Sequence, residues 1–263
     1  MRTIGKTDAE ITIAPGESGG GDEPTMVMRG VLPVLFHPNA KSAAVVGMGA
    51  GVTTHTLLAT AQLERVDTIE IEPAMVEAAN HFRPRVEAAF SDPRSEIYID
   101  DAKAFFATRN SQYDIIVSEP SNPWVSGVAS LFSREFYALT RRYLREQGVF
   151  VQWLQLYEID PQLVASVMKA LSEHFSDYAI YAPLDWDLVV VATNGGRLPD
   201  VDAEILRLAG VRQALERIGI RSARDLALRK LGHKAILAPL FDSFAVPANS
   251  DYFPVLEIGR AHV

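Results

Sequence analysis

Acidic residues close three apolar runs of this chain: Glu70 and Glu72 in Glu70-Ile71-Glu72, the pair Asp100-Asp101, and Glu119 in Ser118-Glu119-Pro120-Ser121-Asn122. An ionised carboxylate only accepts hydrogen bonds. At a strand end it suits the two hydroxyls of a ribose, and on a loop it can take a proton from an amine. The first acid has a partner upstream. Val45-Val46-Gly47-Met48-Gly49-Ala50-Gly51-Val52 runs an apolar strand into closely spaced glycines, which let backbone approach a ligand without side-chain interference. An acid about twenty residues beyond such a turn is the spacing of a nucleoside site. The Gly47-x-Gly49-x-Gly51 spacing is shorter than the dinucleotide form, in which a pyrophosphate meets a helix N-terminus. A ligand without phosphate, of the S-adenosyl kind, suits the tighter turn.

These positions need strands that end on one edge. The pattern predicts a short helix over 27–36, strand 43–48, helix 52–62, strand 66–71, helix 73–81, strand 96–99, helix 101–107, strand 113–118 and helix 133–145. Strand 149–155, helix 160–174 and strands 178–182 and 187–193 follow. Such alternation calls for an α/β fold: a doubly wound, mostly parallel sheet with helices on both faces. The last two strands, joined through Pro183-Leu184-Asp185-Trp186, add an antiparallel edge hairpin, as in the S-adenosylmethionine-dependent methyltransferase type. After Gly195-Gly196 a helical appendage is expected over 196–256, with Leu206, Val211, Leu215 and Ile218 on one stripe and helices over 222–231 and 233–240. Residues 1–26 read as the remnant of an N-terminal β-hairpin region and a Gly-rich linker, leaving 27–195 as the nucleoside-binding domain.

The 263 residues are 48% hydrophobic and 22% charged, with a formal charge of −8 and no basic block. That argues against a nucleic-acid partner and favours a small cationic substrate electrostatically, although simple solubility also explains the charge. The chain has no cysteine, which excludes disulfides, thiolate metal sites and a Cys nucleophile. His37, His55, His81, His174 and His233 lack metal-ligand spacing, so no metal is expected. No run reaches transmembrane length, and residues 1–25 do not read as a signal peptide. As written, the chain reads as cytoplasmic.

In combination, several segments resemble the spermidine synthase (polyamine aminopropyltransferase) family. They are Leu32-Pro33 with His37-Pro38-Asn39, the glycine turn, Glu70-Ile71-Glu72-Pro73, Asp100-Asp101, Tyr113 to Trp124, Gly127 to Tyr137, and Gln152-Trp153-Leu154-Gln155. The likeness is strongest to a divergent bacterial branch in which this domain is often fused to membrane-spanning segments, and it covers roughly residues 1–195. It implies decarboxylated S-adenosylmethionine as co-substrate, a small cationic amine as acceptor and transfer of an aminopropyl group. It is compatible with a homodimer and with a longer, membrane-anchored protein. By resemblance Glu70 holds the ribose hydroxyls, with Glu72 a weaker candidate. Asp101 takes the adenine amino group, and Asp100 is either a second ligand or a helix-start residue. The family's loop acid falls at Glu119, one methylene longer than the usual Asp, and its second Asp falls at Asn122, where the charge is lost. The family's substrate motif of Tyr, His or Gln, then Glu is absent, since Met26, Val27 and Met28 occupy that region.

Asn122-Pro123-Trp124 also resembles the Asn/Asp-Pro-Pro-aromatic motif of amino-group methyltransferases, without its second proline. The alternative is therefore an amino-group methyltransferase using intact S-adenosylmethionine, and a third reading is a non-catalytic nucleoside-binding module. Trp124 reads equally as a packed indole or a substrate contact. Gln152 and Gln155 point to opposite faces of one strand, so at most one reaches a substrate; Trp153 reads as core. His55, in the first turn after the glycines, reads as either a pocket or a surface histidine. Finally, Ile258-Gly259-Arg260-Ala261-His262-Val263 matches the translation of a common sequencing-adapter oligonucleotide, so 257–263 is expected to be a non-native tail.

Overall fold

A computed structural model describes residues 2–3, 6–7, 11, 19–109, 111–121, 127–157 and 159–258. In chain order the elements are β1 (Arg2–Thr3), β2 (Lys6–Thr7), α1 (Glu23–Phe36), β3 (Ser42–Val46), α2 (Val52–Leu58), β4 (Arg65–Glu70), α3 (Pro73–Asn80) and α4 (Arg83–Ser91). Then come β5 (Ser95–Ile99), α5 (Ala102–Thr108), β6 (Tyr113–Ser118), α6 (Arg134–Tyr143), β7 (Leu144–Gln155), α7 (Pro161–Ser172), β8 (Asp177–Leu184) and β9 (Asp187–Thr193). The chain continues through α8 (Ala209–Arg217), α9 (Ala223–Ala227), β10 (Lys230–His233), α10 (Lys234–Asp242) and α11 (Val255–Ile258).

Strands β3 to β10 form one sheet in the order β10-β8-β9-β7-β6-β3-β4-β5. Strands β3 to β7 pair parallel, and β9, β8 and β10 continue the sheet antiparallel. Strands such as Ala43-Ala44-Val45-Val46 and Ile115-Ile116-Val117 are buried throughout, as a parallel sheet covered on both faces requires. One apolar cluster lies under α1, α2 and α8 and the other under α5, α6 and α7. The chain reverses direction across the sheet between β3 and β6. Open α/β sheets bind ligands outside the carboxyl ends of the strands at such a point.

Three expectations need correction. The segment 82–92, for which no element was expected, forms α4; Pro84 lies in its first turn, where a missing N–H costs nothing. The helix expected over 222–231 stops at Ala227, and Lys230–His233 instead pairs antiparallel with β8. A tertiary demand outweighs local preference here: the outer edge of β8 presents unpaired backbone groups, and β10 satisfies them. In consequence the β8–β9 hairpin, expected at the edge, lies one strand in. The residues after 195 pack onto the main core, with Val211, Leu215, Ile218, Ile220 and Leu226 in the cluster that includes α1. Among the described residues no helix is long and apolar enough to cross a membrane, and no group of His, Cys, Asp and Glu could hold a metal ion.

Candidate active site

A cavity of about 760 Å³ opens at the carboxyl ends of β3, β4, β5 and β6. Its floor is the glycine turn. Gly47, at φ 92°, would bring an added Cβ within 2.8 Å of the Glu119 carbonyl oxygen. Only glycine there lets β3 and β6 close on each other as they end. Gly49 also lines the cavity, whereas Gly51 faces Val86 and begins α2.

The acid on β4 is held by backbone. Glu70 Oε2 accepts from Met48 N at 2.9 Å and Oε1 from Glu72 N at 2.9 Å. The carboxylate thereby fixes the glycine turn to its own strand end. Each oxygen retains a lone pair, so a ribose diol can still donate to it. Glu72 is exposed and caps α3 by accepting from Ala74 N at 3.1 Å. Asp100 and Asp101 both line the cavity. The helix cap belongs to Asp101, whose Oδ1 accepts from Ala104 N at 2.9 Å, while Asp100 accepts from Asp101 N at 2.8 Å. The helix-start role, one of two readings of Asp100, thus falls to Asp101, whose cap uses only one of its two oxygens.

Glu119 sits at the inner wall, with its side chain only 2% exposed. Its Oε2 accepts from Thr53 Oγ1 at 2.7 Å and lies 3.0 Å from an Arg29 guanidinium nitrogen. Its Oε1 is buried and has no partner among the described residues. Burial pushes the carboxyl up to about 7, and the Glu70 charge adds to the rise; Arg29 and Thr53 pull the other way. Arg29 comes from α1, which is buried along its whole length. Close packing seats that helix: a Cβ on Gly30 would fall 2.7 Å from Thr56 Cβ. The Arg29 guanidinium lies over the Trp153 ring, 5.0 Å from its centroid. The indole donates to Asp187 Oδ1 at 2.9 Å, and Thr25 donates to Asp187 Oδ2 at 2.6 Å.

The structure brings Gly47, Gly49, Glu70, Glu72, Asp100, Asp101, Glu119 and Gln155 to one cavity. Gln152 is fully buried, donating to the carbonyls of Ser118 and Trp153. Asn122 and Trp124 lie outside the described residues. Trp153, read as core from the sequence, is corrected: it is half-buried and lines the cavity. Thr25, Arg29 and Asp187 line it as well, and the sequence offered only one signal for them, an arginine inside an otherwise apolar helix. His55 does not line the cavity; its Nδ1 accepts from Ala88 N, and burial with the nearby Arg85 lowers its pKa to about 4. A second cavity of about 670 Å³ lies at the opposite strand ends. Of its four cations, Lys41, Arg65 and Arg145 face Glu64, Asp67 and Asp114, and Arg142 lies over the Tyr143 ring.

The sequence profile of the spermine/spermidine synthase domain matches residues 26–184, from α1 through β8. The chain belongs to that family. A polyamine aminopropyltransferase of Caldicellulosiruptor saccharolyticus is 29% identical over 150 residues, which cover 57% of this chain and 54% of the relative. The chain thus spans about half the length of the curated relatives it matches. Spermidine synthase from Thermotoga maritima shares the fold, with a TM-score of 0.62 at 22% identity over 75% of each chain. A spermidine synthase in complex with the transition state analogue AdoDATO has a TM-score of 0.60 at 21% identity, covering 75% of this chain and 74% of that one.

Proposed function

We propose that this chain transfers an aminopropyl group from decarboxylated S-adenosylmethionine to a small amine, with Glu119 as general base. One observation carries the proposal: Glu119 lines the cavity beside the glycine turn, with a carboxyl whose pKa burial raises to about 7. Its Oε1 has no partner among the described residues, although buried acceptors are nearly always paired, so no neighbour there competes for its proton. Membership of the family supports the donor, as does the AdoDATO complex of a spermidine synthase with the same fold. Glu70, Asp101 and the open backbone at Gly47 and Gly49 suit its nucleoside end.

The donor supplies a sulfonium, whose propyl carbon accepts the amine while the C–S bond breaks and its electron pair stays on sulfur. An ammonium has no free pair, so Glu119 must first take its proton. A carboxyl with a pKa of about 7 holds and releases a proton near neutral pH, where such exchange is most effective. Arg29 and Thr53 fix Oε2 and leave Oε1 as the working oxygen. Glu70 orients the nucleoside, Asp101 selects adenine by its amino group, and Gln155 lies at the acceptor end.

Calorimetry with decarboxylated and intact S-adenosylmethionine, paired with an assay for methylthioadenosine release, tests the proposal. Tighter binding of the decarboxylated form and amine-dependent release are expected. Preference for the intact form would instead support methyl transfer, and binding of either without turnover would leave a nucleoside-binding module.

A further inference from the structure

We infer that Asp187, on β9, holds the second ammonium of the acceptor while the first reacts at Glu119. This assignment rests on the aminopropyl-transfer reading and names the side chain that would select a diamine over a single amine.

Asp187 is only 2% exposed. Its two hydrogen-bond donors, the Trp153 indole on Oδ1 and the Thr25 hydroxyl on Oδ2, are both neutral. None of the ion pairs among the described residues includes it. Arg29, the one basic residue among the described residues lining the cavity, is paired with Glu119 at 3.0 Å. A carboxylate taken out of water needs an opposite charge, and buried charges are normally paired. A cationic ligand supplies the missing partner.

Three cavity-lining side chains flank Asp187 and place it at the wall, which it also lines: Thr25, Trp153 and Gln155. Gln155 is its direct partner across the β7–β9 pair, so the two side chains leave the sheet on the same face. Each Asp187 oxygen keeps a lone pair, and Gln155 adds an amide oxygen, which suits an ammonium with its three donors. Helix α1 sets the distance to the reacting end. Thr25, which holds Asp187, and Arg29, which holds Glu119, are four residues apart on one helix face. They stand roughly 6 Å apart along the axis, so a short diamine can meet both carboxylates. Seven acidic residues and one arginine line the cavity among the described residues, a balance that favours a dication over a monocation. In the transfer step the first amine, deprotonated by Glu119, forms the N–C bond as the C–S bond breaks and leaves its electron pair on sulfur. The second amine stays an ammonium on Asp187.

The test is calorimetry on protein saturated with methylthioadenosine, titrated with putrescine or with n-butylamine, which has the same carbon chain and a single amine. In the wild type putrescine should bind roughly tenfold tighter or better. Asp187→Asn removes the charge yet can keep both contacts, its carbonyl accepting from the indole and its NH₂ donating to the Thr25 hydroxyl oxygen. It should weaken putrescine by roughly tenfold to a hundredfold and n-butylamine by no more than about threefold. Unchanged methylthioadenosine affinity shows that the variant is folded. No preference for putrescine in the wild type overturns the assignment without any variant. Equal losses of both amines in Asp187→Asn overturn it too, leaving Asp187 to fasten Trp153 to α1. If the variant loses decarboxylated S-adenosylmethionine and keeps putrescine, Asp187 serves the donor's own ammonium, which also overturns it. If decarboxylated donor is consumed as fast with n-butylamine as with putrescine, aminopropyl transfer stands and this assignment falls. If it is consumed with neither while putrescine binding still depends on Asp187, the diamine site stands and aminopropyl transfer falls.

Discussion

The two ends of the cavity are built by different means. At the end proposed for the nucleoside, Glu70 and Asp101 are each held by backbone N–H groups within a few residues of a strand end, and Asp101 is exposed. At the end proposed for the amine, Glu119, Arg29, Trp153, Asp187 and Thr25 hold one another side chain to side chain. Those residues come from α1, β7, β9 and the loop after β6, and all but Trp153 are buried. A carboxylate held by its own strand and turn can be placed by local geometry alone. One held by side chains from α1 and α2, braced in turn from β7 and β9, exists only once the sheet has closed. The first arrangement suits a ligand shared across a family, and the second leaves room for the acceptor to change.

The largest expected difference between the ends is at Glu119. Glu119→Gln keeps the volume but cannot accept a proton, so turnover should fall by roughly 10²–10⁴-fold. Methylthioadenosine affinity should hardly move, because that ligand rests on the other end. Steady-state kinetics normalised to folded protein checks the first, and calorimetry the second. Full activity in Glu119→Gln would end the general-base role.

The same group predicts two opposite pH trends. Because the folded carboxyl has a pKa raised to about 7, turnover should rise with pH through about 7 as the base loses its proton. Stability should move the other way. Unfolded, the carboxyl releases its proton near its ordinary value of 4.5. Between that value and about 7 the folded state therefore binds more protons, and its stability declines as pH rises. The component is on the order of 3 kcal/mol. Urea unfolding across that window should show the decline in the wild type and a flatter profile in Glu119→Gln. A pH-independent difference between them would mean that Glu119 is ionised throughout.

This contrast also governs what could be read in the sequence. The parallel sheet, the glycine turn and the acids at 70, 101 and 119 were legible because each follows an apolar run that fixes it at a strand end. Arg29 was not. It sits among Met28, Gly30 and Val31 in a wholly buried helix, and nothing local says that its partner is Glu119. Asp187 opens the expected strand 187–193 right after a turn, where nothing marks it as a site residue, and Trp153 alternates with buried neighbours in β7 as a core residue would. Helix α4 was missed because Pro84 reads as a breaker, and β10 because only the open edge of β8 asks for a strand there. Local patterns carry period and punctuation; they do not carry which distant side chains meet.

At the nucleoside end the effects should be smaller, beginning with Glu70. Glu70→Gln can satisfy one of the two backbone donors, Met48 N or Glu72 N, and turns its amide toward the other. Leaving a buried donor unpaired costs about 1–3 kcal/mol. Both thermal stability and nucleoside affinity should therefore drop together, which a melting series with and without methylthioadenosine will show. A loss of affinity alone would mean that the turn keeps its shape without this carboxylate.

Asp101 separates the two roles that Glu70 combines. One oxygen caps α5 through Ala104 N, and the proposed function gives the other the adenine amino group. Asparagine caps helices about as well as aspartate, so Asp101→Asn should melt close to the wild type. With its oxygen on Ala104 N, however, it presents an NH₂ to the ligand, where a donor would face the donating adenine amine. Nucleoside affinity should fall by about 1–3 kcal/mol. Asp101→Ala should lose a similar amount of affinity and, with the cap gone, a further 0.5–2 kcal/mol or so of stability. Inosine-type ligands, which carry a carbonyl in place of that amine, sharpen the test: Asp101→Asn should bind them better than the wild type does. If both variants bind adenosine and inosine ligands as the wild type does, Asp101 serves the helix alone, and the nucleoside end rests on Glu70 and the glycine turn.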